Sequence, residues 1–292
     1  MTVSDAAGNV VEIILTVYKF SVYAIGYNYQ PASPPGPSLP SVRPTPDPDP
    51  EVAPAPDPDP YYLVTEDHFA YIIGYPDGTV RPQGMITREE AATIFFRLLK
   101  DDVRAANMTA QNSFTDVLES RWSNRAISTM AKLGIVLGYE DGSFRPGSYI
   151  TRAEFVTMVA RFLDISDISV ITDIMAFNDI ADGHWATSFI KNASYTGVVL
   201  GYPDGSFQPE AQISRAEAVA IVNRLLGRRV ESISDMLSGM VAWSDNADPD
   251  AWYYYDIQEA TNSHEYRRKD DGIYEQWIGL RPNKDWSSIE NP

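Results

Sequence analysis

The chain has 292 residues, no cysteine and a formal charge of −17, from 40 acidic against 23 basic residues. The missing thiols exclude a disulfide framework, a thiolate metal site and a cysteine nucleophile. So acidic a chain repels nucleic-acid phosphates unless one face is strongly basic, and its longest basic run is Arg267-Arg268-Lys269, so no nucleic-acid partner is expected.

In chain order, Ser4 to Asn9 reads as a turn and Val10 to Phe20 as strand, rich in β-branched and aromatic residues. Residues 1–29 resemble the last strands of an immunoglobulin-like domain, too few to hold a core. The start lacks basic residues and Glu12 interrupts its most apolar stretch, so it is not a secretion signal. A signal is therefore expected upstream of Met1, and the chain is read as the C-terminal part of something longer. No apolar run is long enough for a membrane span.

Residues 30–60 hold 13 of the 21 prolines, including Asp47-Pro48-Asp49-Pro50 and its copy Asp57-Pro58-Asp59-Pro60. Proline fixes φ and removes a donor, and the carboxylates repel one another, so this reads as an extended spacer. It serves equally as a stalk or as an ordinary linker.

From Tyr61 the chain repeats itself. Gly74-Tyr75-Pro76-Asp77-Gly78, Gly138-Tyr139-Glu140-Asp141-Gly142 and Gly201-Tyr202-Pro203-Asp204-Gly205 are turn sequences. Each is followed at one spacing by Thr87-Arg88-Glu89-Glu90, Thr151-Arg152-Ala153-Glu154 or Ser214-Arg215-Ala216-Glu217, with the arginines 64 and 63 residues apart. Thr or Ser with Glu three positions on is a capping box, so a helix starts at each arginine. Apolar residues then recur at helical spacing, as in Ala91, Ile94, Phe95, Leu98 and Leu99.

Another helix precedes two of the turns. Trp122 and Trp185 each lie 16 residues before their Gly, introduced by Phe114-Thr115-Asp116 and Phe177-Asn178-Asp179. The first turn has only spacer at that offset. The missing half stands at the other end, where Trp243-Ser244-Asp245 matches the Phe-x-Asp opening and Trp252 follows nine residues later. The expected organisation is 61–104 as the second half of repeat 1, 112–165 as repeat 2, 175–229 as repeat 3, and 240–292 as the half that closes repeat 1 plus a capping tail. Two whole units and one split unit then close a pseudo-threefold body.

These residues resemble the S-layer homology family, through Gly183-His184-Trp185-Ala186, Gly201-Tyr202-Pro203-Asp204-Gly205-Ser206-Phe207 and Ile150-Thr151-Arg152-Ala153-Glu154. The resemblance covers about residues 61–265. It implies a mainly α, three-pronged fold that holds an extracellular protein on the wall or S-layer of a Gram-positive-type bacterium. The implied partner is secondary cell-wall polysaccharide, often bearing pyruvate ketals, with surface-layer neighbours as a further partner class. Carried over, the ligand-binding residues are Arg88, Arg152 and Arg215; Asp77, Asp141 and Asp204; Gly78, Gly142 and Gly205; and Trp122, Trp185 and Trp252.

A guanidinium matches a ketal carboxylate, and free N–H groups at a helix start favour an anion. Each assignment has a plainer alternative. The arginines could bridge to a neighbouring unit's carboxylate, the aspartates could close their own turns, and the tryptophans could pack between helices. Two alternatives to anchoring by glycan remain: a lattice subunit working by protein–protein contacts, or the anchor of an upstream wall hydrolase. His68, His184 and His264 are isolated in sequence, and Asp245 to Asp250 lacks the glycine and final glutamate of a calcium loop. No catalytic residue, metal site or cofactor is expected, and the chain is not read as an enzyme.

Overall fold

A computed structural model describes residues 62–163, 177–181 and 183–290, together with two short strands near the N-terminus. Those strands, β1 (Thr2–Ser4) and β2 (Val10–Glu12), pair antiparallel with Val3 opposite Val11. They belong to a unit, Met1–Pro44, distinct from the one that follows. The rest of the expected β remnant and the whole 30–60 spacer lie outside the described residues.

Each Thr/Ser-x-x-Glu sequence starts a helix, with the hydroxyl and carboxylate capping reciprocally. These helices are α1 (Arg88–Leu98), α4 (Arg152–Ala160) and α6 (Arg215–Leu226). Their periodic apolar faces are buried in one core: Ala91, Ile94, Phe95 and Leu98 on α1, Phe155 and Val159 on α4, Ala218 and Val222 on α6. Shorter helices follow the tryptophans, namely α3 (Asn124–Lys132), α5 (Thr187–Tyr195) and α7 (Tyr254–Thr261). Each packs on the capped helix of the preceding unit, α3 on α1, α5 on α4 and α7 on α6. A further helix, α2 (Asp101–Asn107), follows α1 directly. Its buried Arg104 donates to the carbonyls of Phe96 and Leu99 at the end of α1 (3.2 and 2.6 Å).

The units close in a cycle that the backbone records. Ile86 N–H donates to Ile213 C=O (3.2 Å), Ile213 to Ile150 (3.1 Å), and Ile150 back to Ile86 (3.1 Å). A linear stack would leave one of these three unmade.

The turns show how the split unit is completed. The Phe114 and Phe177 rings lie so close over Gly138 and Gly201 that an added Cβ would stand 2.6 and 2.3 Å from them. Trp243 covers Gly74 in the same way, at 2.0 Å. Asp116 accepts from the Phe144 and Arg145 N–H groups, Asp179 from those of Phe207 and Gln208, and Asp245 from those of Val80 and Arg81. Arg81, Arg145 and Gln208 all adopt left-handed φ, 53, 57 and 59°. That conformation is disfavoured for residues with a Cβ, and the carboxylate clamp holds it. Asp245, in the former calcium-loop candidate, is thus spent on the first turn.

The tail caps this seam. Strands β3 (His264–Arg268) and β4 (Glu275–Leu280) form an antiparallel hairpin, followed by α8 (Trp286–Glu290). Trp277 fills a second small core with Val230, Met236 and Tyr254. Trp286 Nε1 donates to Ala70 C=O (2.8 Å), and Arg97 holds Glu290 through two bonds (2.5 and 3.1 Å).

Candidate functional site at the repeat junctions

The three motif arginines lie where one unit meets the next, and each reaches the following unit's capping-box glutamate. Arg88 binds Glu154 (3.0 Å), Arg152 binds Glu217 (3.2 Å) and Arg215 binds Glu90 (2.7 Å). One oxygen of each glutamate caps its own helix, while the other takes the incoming guanidinium. Tyr139 and Tyr202 donate to the same Glu154 and Glu217 oxygens (2.7 and 2.5 Å), and Tyr75 meets Arg215 (2.8 Å). Burial, and the bond to Glu217, push the Tyr202 hydroxyl up to about 12.

This arrangement draws the motif arginines into the body of the domain. Arg88, Arg152 and Arg215 are only 7, 4 and 7% exposed, and the first two turn further N–H groups to backbone carbonyls, while Arg215 Nε is buried without a partner. Arg88 donates to the carbonyls of Phe144 and Leu137 (2.7 and 3.0 Å), and Arg152 to that of Phe207 (2.9 Å). The helix starts are occupied as well. Arg88 and Glu89 N–H donate to Ser148 and Pro146 C=O, Arg152 and Ala153 to Ala211 and Pro209, Arg215 and Ala216 to Gly84 and Pro82. The expected free donors are therefore not free, because the neighbouring unit supplies carbonyls to them. As placed, the arginines staple the ring together.

The turn residues lie outside this staple. Gly78, Gly142 and Gly205 have φ of 78, 76 and 80°, which only glycine adopts freely, and their carbonyls accept from Ser244, Thr115 and Asn178 N–H. Asp77 and Asp141 close their own turns through Thr79 and Ser143, then pair with exposed Arg81 and Arg145 (3.0 and 2.8 Å). Asp204 bonds Ser206 alike, but Gln208 stands where the others have arginine. Hydrogen bonds from these hydroxyls, reinforced by the arginines at the first two, hold Asp77, Asp141 and Asp204 below the usual carboxylate range.

Trp122 and Trp252 are 45 and 55% exposed, whereas Trp185 is half-buried against the core beside His184. Each stands just ahead of a helix that packs on another unit. The junctions differ in detail. Glu89, in place of the Ala153 and Ala216 of the other motifs, is gripped by Arg121 through two bonds (2.8 and 2.9 Å) and by Ser123 (2.5 Å).

Sequence spacing missed one cluster. His68 and His264, read as isolated, meet across 196 residues with Nδ1 and Nε2 3.1 Å apart, beside Glu259 and Glu275. No local pattern joins residues brought together only by ring closure.

Residues 70–92, 113–156 and 176–219 match the S-layer homology domain family. The chain is 37% identical over 209 residues to a cellulosome-anchoring protein of Acetivibrio thermocellus, covering 71% of this chain and 45% of that protein. It is 37% identical over 212 residues to cell surface glycoprotein 1 of the same organism, covering 70% of this chain and 9% of the other. An S-layer protein of Bacillus licheniformis is 32% identical over 151 residues, 52% of this chain and 17% of that protein. The chain thus spans less than half the length of each of these relatives. No described helix is long and apolar enough to cross a membrane. The three matched segments, carried on a ring whose first unit is completed by the chain's last, make this an S-layer homology domain protein of the bacterial cell surface.

Proposed function

We propose that this module fastens a larger surface protein non-covalently to the bacterial wall by binding secondary cell-wall polysaccharide at the junctions between repeats. It is a binding module, and any catalysis belongs to the cargo. The observation that carries this reading is a tryptophan just ahead of each helix that packs across a junction, two of the three well exposed, together with turns at which Asp77 and Asp141 pair with exposed Arg81 and Arg145. Sugar rings and ketal methyls stack on such plates, while Arg81 and Arg145 offer cations to an acidic polymer that an otherwise anionic protein would repel.

The hub arginines then act as positioning residues. They tie each unit to the next, and direct contact with the glycan passes to the exposed rim. The Arg121–Glu89 grip makes the repeat 1–2 junction unlike the others, so the sites are expected to differ in affinity. Several weak sites on one polymer bind with avidity.

Co-sedimentation with purified walls tests the reading. The protein should pellet with intact walls and stay soluble with walls stripped of secondary polysaccharide, and removing the ketal alone should weaken pelleting. Equal pelleting with intact and stripped walls would reject it.

A further inference from the structure

The seam that closes the ring contains four side chains that neither the repeats nor the wall-binding reading uses. His68 comes from the segment ahead of the first turn, Glu259 from α7, His264 from β3 and Glu275 from β4. All four are at most 1% exposed, and one donor atom of each lies within 4.8 Å of every other. The separations are 3.1 Å from His68 Nδ1 to His264 Nε2, 3.3 Å from His264 Nε2 to Glu259 Oε2, and 3.6 Å from His68 Nδ1 to Glu275 Oε1. Donors around a tetrahedral zinc ion stand about 3.4 Å apart, given bonds of about 2.0–2.1 Å. The longer gaps close by turning the two carboxylates, whose terminal torsions are soft.

The surroundings orient these donors inward. His264 Nδ1 donates to Asn262 C=O (2.9 Å), which leaves Nε2 with its lone pair toward the cluster. Glu259 Oε1 accepts from Trp277 Nε1 (2.6 Å) and Glu275 Oε1 from Arg229 N–H (3.0 Å). Outer bonds of this kind fix metal ligands in place. The Tyr266 and Trp277 rings stack on His68 and His264 at 3.9 and 4.0 Å and wall the site from water.

Glu259 Oε2, the oxygen that faces both imidazoles, has no hydrogen-bond partner, and neither do Glu275 Oε2 and His68 Nε2, the second polar atoms of the other two side chains. Buried carboxylate oxygens are seldom left so, because an unpaired buried acceptor forfeits its hydration without recompense. The nearby cations do not relieve them. Buried Arg228 turns its fork to the carbonyls of Phe69 and Asp67, and Arg268, 3.4 Å from Glu275, is partly exposed and bonds Gly227 and Ile273 C=O.

We propose that His68, Glu259, His264 and Glu275 form a four-coordinate site for a divalent transition ion, zinc foremost, that pins the first segment of the ring to its last. Two imidazoles and two carboxylates suit zinc better than calcium or magnesium, which take oxygen donors alone. A closed set of four protein ligands marks a structural ion. Its effect is to tie residue 68 to residues 259–275, so that the split unit cannot swing open. A tie across so long a loop restricts the unfolded chain strongly.

The test uses the full chain, stripped with a chelator and dialysed. Cobalt(II) should bind at one equivalent with the intense visible bands of tetrahedral coordination, zinc should displace it, and zinc should raise the melting temperature. The double variant His68→Gln/His264→Gln should lose the bands and the zinc-dependent shift. Glu275→Gln, which keeps the side chain's shape, should stay folded and bind zinc at least about tenfold more weakly. A folded wild type that takes up no stoichiometric cobalt overturns the proposal. So does a double variant or a folded Glu275→Gln that binds metal as the wild type does, since the cluster is then a hydrogen-bonded histidine pair and nothing more.

Discussion

At the scale of single residues, one glutamate per unit does two tasks. Glu154 caps α4 with one oxygen and receives Arg88 and Tyr139 with the other. The motif therefore encodes both a helix start and a joint to the neighbour. The capping half was legible in sequence, because its partner is three residues away. The joint was not, because its partner is 66 residues away and depends on the order of units round the ring. The motif makes the arginines conspicuous, but only the fold shows that each is buried against a neighbouring unit. Removing one member of a buried pair strands the other, a loss of roughly 3–5 kcal/mol. Arg152→Ala should lower stability by about that much in denaturant melts, with Arg152→Lys between it and wild type; an unchanged midpoint would show the pair to be dispensable. The turn aspartates contribute to the response to acid. Their carboxyls lie below the ordinary range in the folded chain, so they contribute stability above the unfolded value of about 4 that is lost as pH falls through the folded one. Thermal melts should therefore drop steadily below about pH 4, and Asp141→Asn should flatten part of that drop.

The elements explain why two turn positions require glycine. Gly138 and Gly201 need no unusual φ; they are glycine because a ring and a carbonyl lie where a Cβ would be. Overpacking of this kind costs roughly 1–3 kcal/mol, so Gly138→Ala should destabilise by that amount in chemical melts. Phe114→Ala in the same chain should recover part of the loss, whereas additive penalties would break the link between ring and glycine. The helices α1, α4 and α6 were plain in the sequence, since capping boxes and apolar spacing are local, marks that the short α2 and α8 lack. Their pairing was not. Nothing in the run after Trp122 says that α3 packs on α1 of the unit before, because apolar faces do not name their partners.

For the whole molecule, the decisive feature is that the last unit completes the first. The match of Trp243-Ser244-Asp245 to the Phe-x-Asp opening disclosed this from sequence, and the Trp243 ring over Gly74 is its physical form. The tail was legible only as a cap, because β3, β4 and α8 have no repeat partner to align with. A chain ending at residue 239 loses α7, the Asp245 clamp and the Trp286 and Glu290 contacts together. Its melt should be broad and its amides in 62–99 should exchange quickly, while a sharp wild-type-like transition would mean that the ring does not need its closure.

The glycan account rests on the exposed rim of the junctions. Its most direct test is calorimetric titration of a purified secondary-polysaccharide fragment into wild type and into Trp122→Ala/Trp185→Ala/Trp252→Ala, once matched melts show that both are folded. The account predicts that the dissociation constant rises at least about tenfold in the triple variant, a loss of about 1.4 kcal/mol or more. An unchanged constant would contradict it and move glycan binding away from the junction tryptophans.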